Sequence, residues 1–595
     1  MLLLLLLLAT IHNTLSCNFT ITNIQSFHKV TSALANIKTN DDFHICLQNI
    51  HTTQPLLLNA THNHPLNGNI VWRSTEINKK PPAIITGGSP LNKWYRCNQD
   101  ARCPGLEWND VFVHYTSDIA NLSTTELPVR NLWINGSRAT RVSVDGNTLG
   151  WNVTATGYST PSTVPSSFVT NQVELLWPRI IRNWIEPRCI VSSVSNNNII
   201  VEPICWKALI ARNNGKLPPI PTFVQNIARP PDSGEFTSTP LYIFYKPLPS
   251  TPYQSPVNAF VPISNQIIVA TNLTNHIFQN LQISYTTWRI PSSSTGYVPS
   301  QTLVTSSGEP KGAFSIASSI NITIENVKFC NLGSAYGLSI GKASQNISIR
   351  SNTFVDLSGG ALKIGNVLNT TNALTTNIKE QDRNYYVFNN IMKSIAVEYK
   401  GGAAIFAGYV ANTTISQNTV SNTGYTGISL GWGWGTHVTG PQTYAADNHI
   451  IGNQLINVMS ALNDGGCTYT LGPQPRSTVS NNYCSSDHAP VVGCFYHDNG
   501  SRYFTTTNNV CTTSPAPCVY LQGCCNAPAY DIAVSNLWCR NTAPVINGCA
   551  KENCTIDSKT LYILKAGEAW PPQAQSIVDR SGSSEAYVQD GYVGK

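Results

Sequence analysis

Only 31 of the 595 residues are Asp or Glu, and two of the aspartates, Asp464 and Asp498, lie beside aromatic residues and glycines in a segment rich in both, between residues 425 and 501. Asp464 precedes a glycine pair, and Asp498 follows an aromatic run further along. Cleavage of a glycosidic bond needs one protonated carboxyl group to assist the leaving group and one ionised carboxyl group to attack the sugar or activate water. The pair therefore indicates glycoside hydrolysis, although an aspartate beside glycine is more often a turn residue.

Other side chains of this region could bind a ligand. Trp432 and Trp434 alternate with glycines, which leaves the indole faces open for stacking on sugar rings, but burial is the more common use of Trp in a strand. His497 is a spare acid, base or ligand, and an isolated His is more often structural. No Cys/His spacing has the form of a metal site, so we expect no metal and no cofactor. A nucleophile elbow and a phosphate-binding glycine loop are also missing.

These residues belong to a repeat. Short β-branched runs end in an Asn that recurs every 27 to 38 residues, at positions 352, 390, 418, 453, 482, 509 and 536. The period is too short for a propeller blade of about 40–45 residues, and two-residue alternation excludes helical repeats. The pattern predicts an all-β right-handed parallel β-helix. The Asn would adopt left-handed geometry at the bend, and its amide would hydrogen bond from coil to coil.

A parallel β-helix can bring the two aspartates onto one sheet. Aligning Tyr469 with Tyr496 puts Asp464 and Asp498 at opposite ends of neighbouring strands. They converge only if the pair Gly465-Gly466 bends the chain.

The sequence divides into five predicted segments. Residues 1–16, with their poly-Leu run, are predicted to be a signal peptide. Residues 17–128 would hold the first coils and a capping helix over 27–37, since an open solenoid end exposes core and unpaired edges. An inserted small β domain is predicted at 129–255, the main β-helix at 256–565 and a C-terminal tail at 566–595.

Export agrees with 17 cysteines and with N-glycosylation motifs. A net charge of +6 is too dilute for nucleic-acid binding, and no apolar run is long enough to span a membrane. We expect a secreted, disulfide-bonded glycoprotein that is monomeric. Cys484 and Cys511 occupy one repeat position and could bridge, or the repeated cysteines could be inert thiols. The twelve motifs begin at Asn18, Asn59, Asn121, Asn135, Asn152, Asn272, Asn321, Asn346, Asn369, Asn412, Asn499 and Asn553.

Three strings, Val397–Gly402, Gly427–Gly435 and Asp464–Pro475, resemble glycoside hydrolase family 141 and its bacterial β-helix relatives. The resemblance continues upstream through 82–88, 129–141 and 241–247. It implies a secreted enzyme that acts on plant-type, pectic or xylan polysaccharide or on its oligosaccharides, with fucosidase or xylanase activity among family members. It also implies a catalytic pair of aspartates, matching Asp464 and Asp498, in a cleft lined by Tyr469, Trp432, Trp434 and Glu398.

One departure keeps other functions open. Where relatives tend to read Leu-Asp-Glu-Gly-Ser, this chain has His497-Asp498-Asn499-Gly500-Ser501, so a glycosylation motif replaces the Glu. A glycan there would obstruct a polysaccharide groove, so a non-catalytic glycan-binding β-helix is the alternative. A polysaccharide lyase is a third possibility, but it needs an acidic cluster for calcium, and the sequence offers none.

Overall fold

The computed structural model describes most of the chain, including both aspartates. The residues described are 16–584 without 76–81, 98–102, 104–107, 109, 120–121, 123–127, 162, 165–171, 228, 251–254, 307, 369–370, 439–441, 487–491, 513–515, 524–526, 541–543 and 550–552. The predicted signal peptide therefore lies outside the described residues, except for Ser16.

The prediction of a parallel β-helix is confirmed, because three ladders of parallel strands run along the chain. The first ladder contains Phe19–Ile21, Phe43–Leu47, Ile70–Ser74, Thr274–Gln279, Ile320–Glu325, Gln345–Arg350, Arg383–Phe388, Ala411–Ser416, Ala446–Ile451, Pro473–Ser480, Arg502–Thr512, Ala533–Arg540 and Thr555–Ile556. The second contains Ile50–His51, Ala83–Thr86, Leu281–Thr286, Lys328–Leu332, Thr353–Leu357, Ile391–Ile395, Thr419–Thr423, Gln454–Ile456, Tyr483–Ser485, the ends of Arg502–Thr512 and Ala533–Arg540, and Leu561–Ile563.

The third ladder carries the candidate site. It contains Leu56–Leu58, Ile268–Thr271, Gly312–Ala317, Tyr336–Gly341, Gly360–Ile364, Ile405–Ala407, Ile428–Leu430, Thr468–Thr470, Phe495–His497, Val519–Leu521 and Val545–Asn547. Alternate side chains of all three ladders point inward and form one continuous apolar core. Each coil thus stacks on the next, and neighbouring coils cover the apolar interior that a single coil would leave exposed.

The solenoid is interrupted by a long insertion. Ile70–Ser74 pairs directly with Thr274–Gln279, so the coils continue across it. Between them lie three largely antiparallel sheets and the helix Pro203–Arg212. Their strands are Gly88–Leu91, Trp133–Ile134, Ser137–Arg138 and Ala259–Pro262; Tyr95–Arg96, Phe112–Tyr115, Thr140–Arg141, Glu235–Ser238 and Tyr242–Tyr245; and Ser143–Asp145, Asn152–Thr154, Gly157–Ser159, Glu174–Leu176, Arg188–Ser195, Asn198–Val201 and Phe223–Gln225. These strands begin at Gly88, upstream of the predicted boundary at 129, and the five segment boundaries stay predictions.

Small elements complete the fold. In place of one helix over 27–37, the chain forms Ile24–Phe27 and Val30–Leu34, and the Asn23 side chain caps the first. Phe27, Val30 and Leu34 pack on the core of the first coils. The helix Pro572–Arg580 and the hairpin of Pro299–Gln301 and Val304–Thr305 lie outside the ladders. Turns of 3₁₀-helix occur at Ala60–His62, Thr116–Asp118, Gly146–Leu149, Ile290–Ser292, Asn372–Leu374, Ile378–Glu380 and Ser558–Thr560.

The repeated asparagines form a buried ladder. Asn418 is typical: its Oδ1 accepts hydrogen bonds from the backbone N–H and the Nδ2 of Asn390 (3.0 and 2.9 Å), and its own Nδ2 donates to Asn453. The left-handed backbone expected at these positions lies one residue earlier, for example at Gln417 with φ 54°. Stacking of amides, and not backbone strain, therefore explains the buried Asn. The ladder consists of Asn352, Asn390, Asn418, Asn453, Asn482 and Asn509.

The last predicted member of this ladder does not belong to it. Asn509 aligns with Leu537, so Asn536 occupies the left-handed position before the ladder, with φ 48°. Asn is common at both positions, because its short polar side chain also tolerates left-handed geometry. The sequence pattern alone could not separate the two roles.

The buried ladder gives a stability prediction. Replacing Asn418 with Ala should lower the free energy of unfolding by about 2–3 kcal/mol, because each buried group left without its partner costs about 1–3 kcal/mol. Ser421→Ala, on the outer face of the same coil, should change it by less than about 0.5 kcal/mol. Denaturant unfolding followed by circular dichroism measures both. Equal effects would mean that the ladder does not stabilise the solenoid.

The disulfides do not join register neighbours of one ladder. Cys484 and Cys511 are register neighbours, as expected, but they do not bridge. Side chains at equal positions of parallel strands run side by side, whereas a disulfide needs converging Cβ atoms. Each cysteine instead finds a partner across the interior, with Cα atoms 6.1 Å apart for Cys467–Cys484 and 5.9 Å for Cys511–Cys518. The other bonds are Cys17–Cys46, Cys97–Cys103, Cys189–Cys205 and Cys549–Cys554.

Two features bear on the expected compartment. Six disulfides among the described residues are typical of a protein in an oxidising environment. Within the described part of the chain, no helix has the length and apolar character needed to cross a membrane.

Candidate active site

The candidate site is built on the outer face of the third ladder. Tyr469 in Thr468–Thr470 pairs with Tyr496 in Phe495–His497, which pairs with Tyr520 in the next strand. Because side chains alternate along a strand, these tyrosines point outward while their strand neighbours fill the core. The register thus produces a column of phenol groups.

Asp498 is the residue directly after the strand Phe495–His497, and its carboxyl group contacts two of these phenol groups. Its Oδ2 accepts a hydrogen bond from Tyr469 Oη (2.5 Å) and its Oδ1 accepts one from Tyr496 Oη (2.9 Å). Asp498 is 5% exposed, and burial raises the pKa of its carboxyl group. The two tyrosines and the backbone N–H of Asn499 act in the opposite direction, because they stabilise the ionised form.

Asp464 reaches the same place from the neighbouring coil, as the sequence required. Its backbone is left-handed, with φ 61°, and the chain then passes through two glycines. A Cβ on Gly466 would lie 2.1 Å from the carbonyl oxygen of Gly493, so the bend has no room for a side chain. The bend is held by Tyr425 Oη, which donates to the Asp464 carbonyl (2.8 Å).

The two carboxyl groups share one hydroxyl group. Tyr496 Oη lies 3.2 Å from Asp464 Oδ1 and 2.9 Å from Asp498 Oδ1, which limits the separation of these two oxygens to 6.1 Å. Burial, and then the nearby charge of Asp498, raises the pKa of Asp464 to about 6. The two groups therefore do not ionise independently.

The hydrogen bonds of the Tyr496 hydroxyl group distinguish the two aspartates. Its oxygen accepts a hydrogen bond from Gln522 Nε2 (3.1 Å), and its single proton can be donated to one carboxyl group only. All three contacts are satisfied when one aspartate is ionised and the other is protonated and donates to Tyr496. Because Asp498 has the additional donors, the arrangement favours ionised Asp498 and protonated Asp464.

These groups line a cavity of about 220 Å³. Its walls combine side chains of the solenoid with two from elsewhere: Trp184 of the insertion and Gln301 of the hairpin. The lining consists of Trp184, Gln301, Trp434, Asp464, Tyr469, Tyr496, Asp498, Asn499 and Gln522.

Some of the site residues predicted from the sequence line this cavity. Asp464, Asp498, Tyr469 and Trp434 line it. Trp432 lies behind Trp434, with ring centroids 4.9 Å apart.

Two predicted residues lie elsewhere. His497 points into the solenoid, where it contacts Thr470 Oγ1 (2.8 Å) and Thr506 Oγ1 (2.7 Å), and burial lowers its pKa to about 3. Glu398 accepts hydrogen bonds from Arg130 Nη2 and Asn131 Nδ2 (both 2.8 Å), away from the cavity lining. We therefore exclude both from the proposed site.

Glu398 belongs to a buried charge cluster between the insertion and the solenoid. Glu174 of the insertion, with a fully buried side chain, pairs with Arg130 and with Arg141 (2.8 Å). Arg130 also pairs with Glu398 (2.8 Å), which follows a strand of the second ladder, and Arg188 Nη2 donates to the Glu398 carbonyl (2.6 Å). The charges hold the two parts of the chain together, which is a structural role for Glu398.

Several lining residues were absent from the sequence predictions. Tyr496 could have been found, since its alignment with Tyr469 was already evident. Trp184 and Gln301 could not, because each lies far from Asp464 and Asp498 in the chain and no local pattern marks it.

No described residue cluster offers an obvious metal site. Two groups of three cysteines have sulfur atoms within 4.8 Å of one another: Cys467, Cys484 and Cys494, and Cys511, Cys518 and Cys539. In each group two cysteines are joined in a disulfide, so neither provides the three thiolates that a zinc site would use.

Asn499 differs from the other glycosylation motifs. Ten of the twelve motif asparagines are described, and nine of them are exposed. Asn499 is half-buried and lines the cavity beside Asp498. A glycan at this position would occupy the cavity that Asn499 lines.

This contrast gives a prediction for the protein secreted from a glycosylating host. Peptide mapping by mass spectrometry should find Asn499 unmodified in folded molecules and glycans at exposed motifs such as Asn59 and Asn152, because a chain with a glycan at Asn499 cannot close the cavity. A glycan on most folded molecules at Asn499 would contradict an open ligand site.

Comparison with known proteins gives a structural likeness only. No family model matches the sequence, and no curated protein matches it. A solved structure described as "Glycoside hydrolase" has a TM-score of 0.69, covering 96% of this chain and 99% of its own, at 18% identity. XylC in complex with xylose has a TM-score of 0.46, covering 93% and 78% at 11% identity. A GH136 lacto-N-biosidase from Eubacterium ramulus has a TM-score of 0.30, covering 52% of each chain at 13% identity. At these identities the first likeness establishes the fold.

Proposed function

We propose that this protein is a secreted glycoside hydrolase in which Asp464 and Asp498 cleave a glycosidic bond of a plant-type, pectic or xylan polysaccharide or of its oligosaccharides. The observation that carries the proposal is the pair of carboxyl groups that share the Tyr496 hydroxyl at a cavity, with opposite protonation favoured. The solved structure described as a glycoside hydrolase supports it through the common fold. Membership of family 141 stays part of this proposal.

Each aspartate has a separate role. Ionised Asp498 attacks the anomeric carbon while Asp464 gives its proton to the leaving oxygen, so that the C–O bond to the leaving group breaks and a glycosyl ester forms. Water then attacks the same carbon, Asp464 takes its proton, and the bond to Asp498 breaks. The Oδ1 atoms of the two aspartates are at most 6.1 Å apart, which is less than the roughly 6.5–9.5 Å between the carboxyl groups of inverting enzymes and favours this retaining reaction.

The size of the cavity restricts the mode of attack. About 220 Å³ is less than the roughly 300–1,000 Å³ of pockets that enclose drug-sized ligands, and it suits one sugar ring. We therefore propose that the cavity takes a single sugar at the end of a chain or branch. Trp434 and Trp184 provide the apolar walls for its faces.

The proposal predicts how activity depends on pH. Because a raised pKa keeps Asp464 protonated below about pH 6, kcat/KM should fall as pH rises through this value. The measurement is kcat/KM against pH for aryl glycosides of xylose, fucose, arabinose and galactose. In Asp464→Asn the residual activity should lose this alkaline decline.

Two outcomes would contradict the proposal. An alkaline decline that remains in Asp464→Asn would assign the acid to another group. Sugar binding without hydrolysis of any glycoside or polysaccharide would favour the alternative of a non-catalytic glycan-binding β-helix.

A further inference from the structure

Gln301 lies in the cavity wall opposite the solenoid and belongs to neither aspartate's strand. It ends the strand Pro299–Gln301, and the residue is 3% exposed. Its neighbour Ser300 accepts hydrogen bonds at the carbonyl oxygen from Trp184 Nε1 (2.9 Å) and Arg212 Nη2 (2.5 Å), both in the insertion. The insertion therefore fixes the position of Gln301.

The hydrogen bonds of Tyr425 set the orientation of the Gln301 amide. The Tyr425 hydroxyl donates its single proton to the carbonyl oxygen of Asp464 (2.8 Å), so it can only accept from Gln301. Gln301 Nε2 provides that hydrogen bond (3.0 Å). The Oε1 atom is consequently turned away from Tyr425.

Gln301 Oε1 is buried and has no hydrogen-bond partner within the described part of the chain. Asn499 Oδ1, in the same cavity, is likewise buried and unpartnered among those residues. A buried acceptor without a donor costs about 1–3 kcal/mol, so two of them in one cavity indicate that a ligand supplies the donors.

We propose that Gln301 is a specificity-determining residue whose Oε1 accepts a hydrogen bond from one hydroxyl group of the bound sugar, with Asn499 Oδ1 accepting from a second. This inference rests on the proposed function only in taking the ligand to be a sugar, and it does not require hydrolysis. The described lining contains two carboxyl groups and no Lys or Arg, so it suits a neutral sugar and not a sugar acid.

The test is a binding experiment with monosaccharides and the full-length protein. Dissociation constants for xylose, fucose, arabinose, galactose and galacturonic acid are measured by ligand-observed NMR, and the best ligand is replaced by its monodeoxy derivatives. Against the wild type, one derivative should bind at least about tenfold more weakly, because Oε1 is left unpaired. Galacturonic acid should bind more weakly than the best neutral sugar.

Variants of the protein test whether Gln301 is the residue that accepts from that hydroxyl group. Gln301→Met keeps the length of the side chain. This variant should bind the parent sugar about 10- to 100-fold more weakly, and it should no longer discriminate against the deoxy derivative. Gln474→Met is the matched control, since Gln474 is buried in the solenoid and its Oε1 accepts from Asn448 (2.9 Å). This control should keep the discrimination. Asn499→Ala should remove discrimination at a different hydroxyl.

The results separate this inference from the proposed function. Binding with the predicted coupling but without hydrolysis would reject the enzyme and retain Gln301 as a binding residue. If the protein hydrolyses glycosides, but each deoxy derivative loses the same affinity in Gln301→Met as in the wild type, the enzyme is retained and the role of Gln301 is overturned. If Gln301→Met does not fold, a wild-type series in which no deoxy derivative loses affinity overturns it, as does the absence of binding by every sugar.

Discussion

Asp498→Asn should lower kcat by a factor of at least about 10⁴ on every substrate, since no other carboxylate in the described cavity lining can form the bond to the anomeric carbon once Asp464 serves as the acid. Asp464→Asn should behave differently. It should lower kcat by about 10²–10⁴ on natural glycosides, whose leaving oxygen needs a proton, and far less on dinitrophenyl glycosides, whose leaving group needs none. Steady-state kinetics on both substrate types measures the difference.

Asp382→Asn is the matched control for this pair. Asp382 is buried in the solenoid, accepts from the Ser344 backbone N–H (3.0 Å) and Tyr385 Oη (2.9 Å), and has a pKa raised by burial to about 6. It shares burial and a raised pKa with the proposed acid but does not line the cavity, so its variant should keep activity. Equal dependence of both cavity variants on the leaving group would contradict the separate roles.

Glu174→Gln should lower the free energy of unfolding by about 3–5 kcal/mol. The change leaves Arg130 and Arg141 buried without their shared carboxylate, and breaking a buried ion pair from one side is costly for that reason. Denaturant unfolding and limited proteolysis of the insertion measure the effect. Glu325→Gln, which removes an exposed pair with Arg350, should cost less than about 1 kcal/mol.

The same charge cluster predicts that the protein becomes less stable in acid. Arg130 and its neighbours outweigh the effect of burial and hold the pKa of Glu174 well below its usual range, and that of Glu398 at about 2. A lowered pKa contributes stability above the ordinary pKa of Glu, near 4.5, and this stability is lost as pH falls below it. The difference in stability between wild type and Glu174→Gln should therefore shrink between about pH 4.5 and 2. A difference that is constant with pH would mean that the charge of Glu174 is not what stabilises the cluster.

The fold could be predicted because it repeats. Ladder residues such as Asn418 make the same hydrogen bonds in successive coils from Asn352 to Asn509, so the spacing of Asn in the sequence gives the number of residues in each of these coils. The error at Asn536 shows the limit: two adjacent positions of the coil both favour Asn, and only the strand register distinguishes them.

The candidate site could be predicted only where it follows this repeat. Asp464 and Asp498 occupy neighbouring coils, and the glycine pair was the one local signal that they converge. Glu398 was expected in the cleft, but Arg130, which determines its surroundings, lies in the insertion, far away in sequence. Trp184 and Gln301 reach the cavity in the same way, through contacts that no periodicity encodes.

Covalent trapping tests the central claim most directly. The full-length protein is incubated with the 2-deoxy-2-fluoro glycosyl fluoride of whichever sugar it releases, and the labelled peptide is mapped by mass spectrometry. We predict one glycosyl ester, on Asp498, that accumulates in the wild type and is absent from Asp498→Asn. An ester on another residue, or turnover with inversion and no ester, would contradict the assignment of these two aspartates.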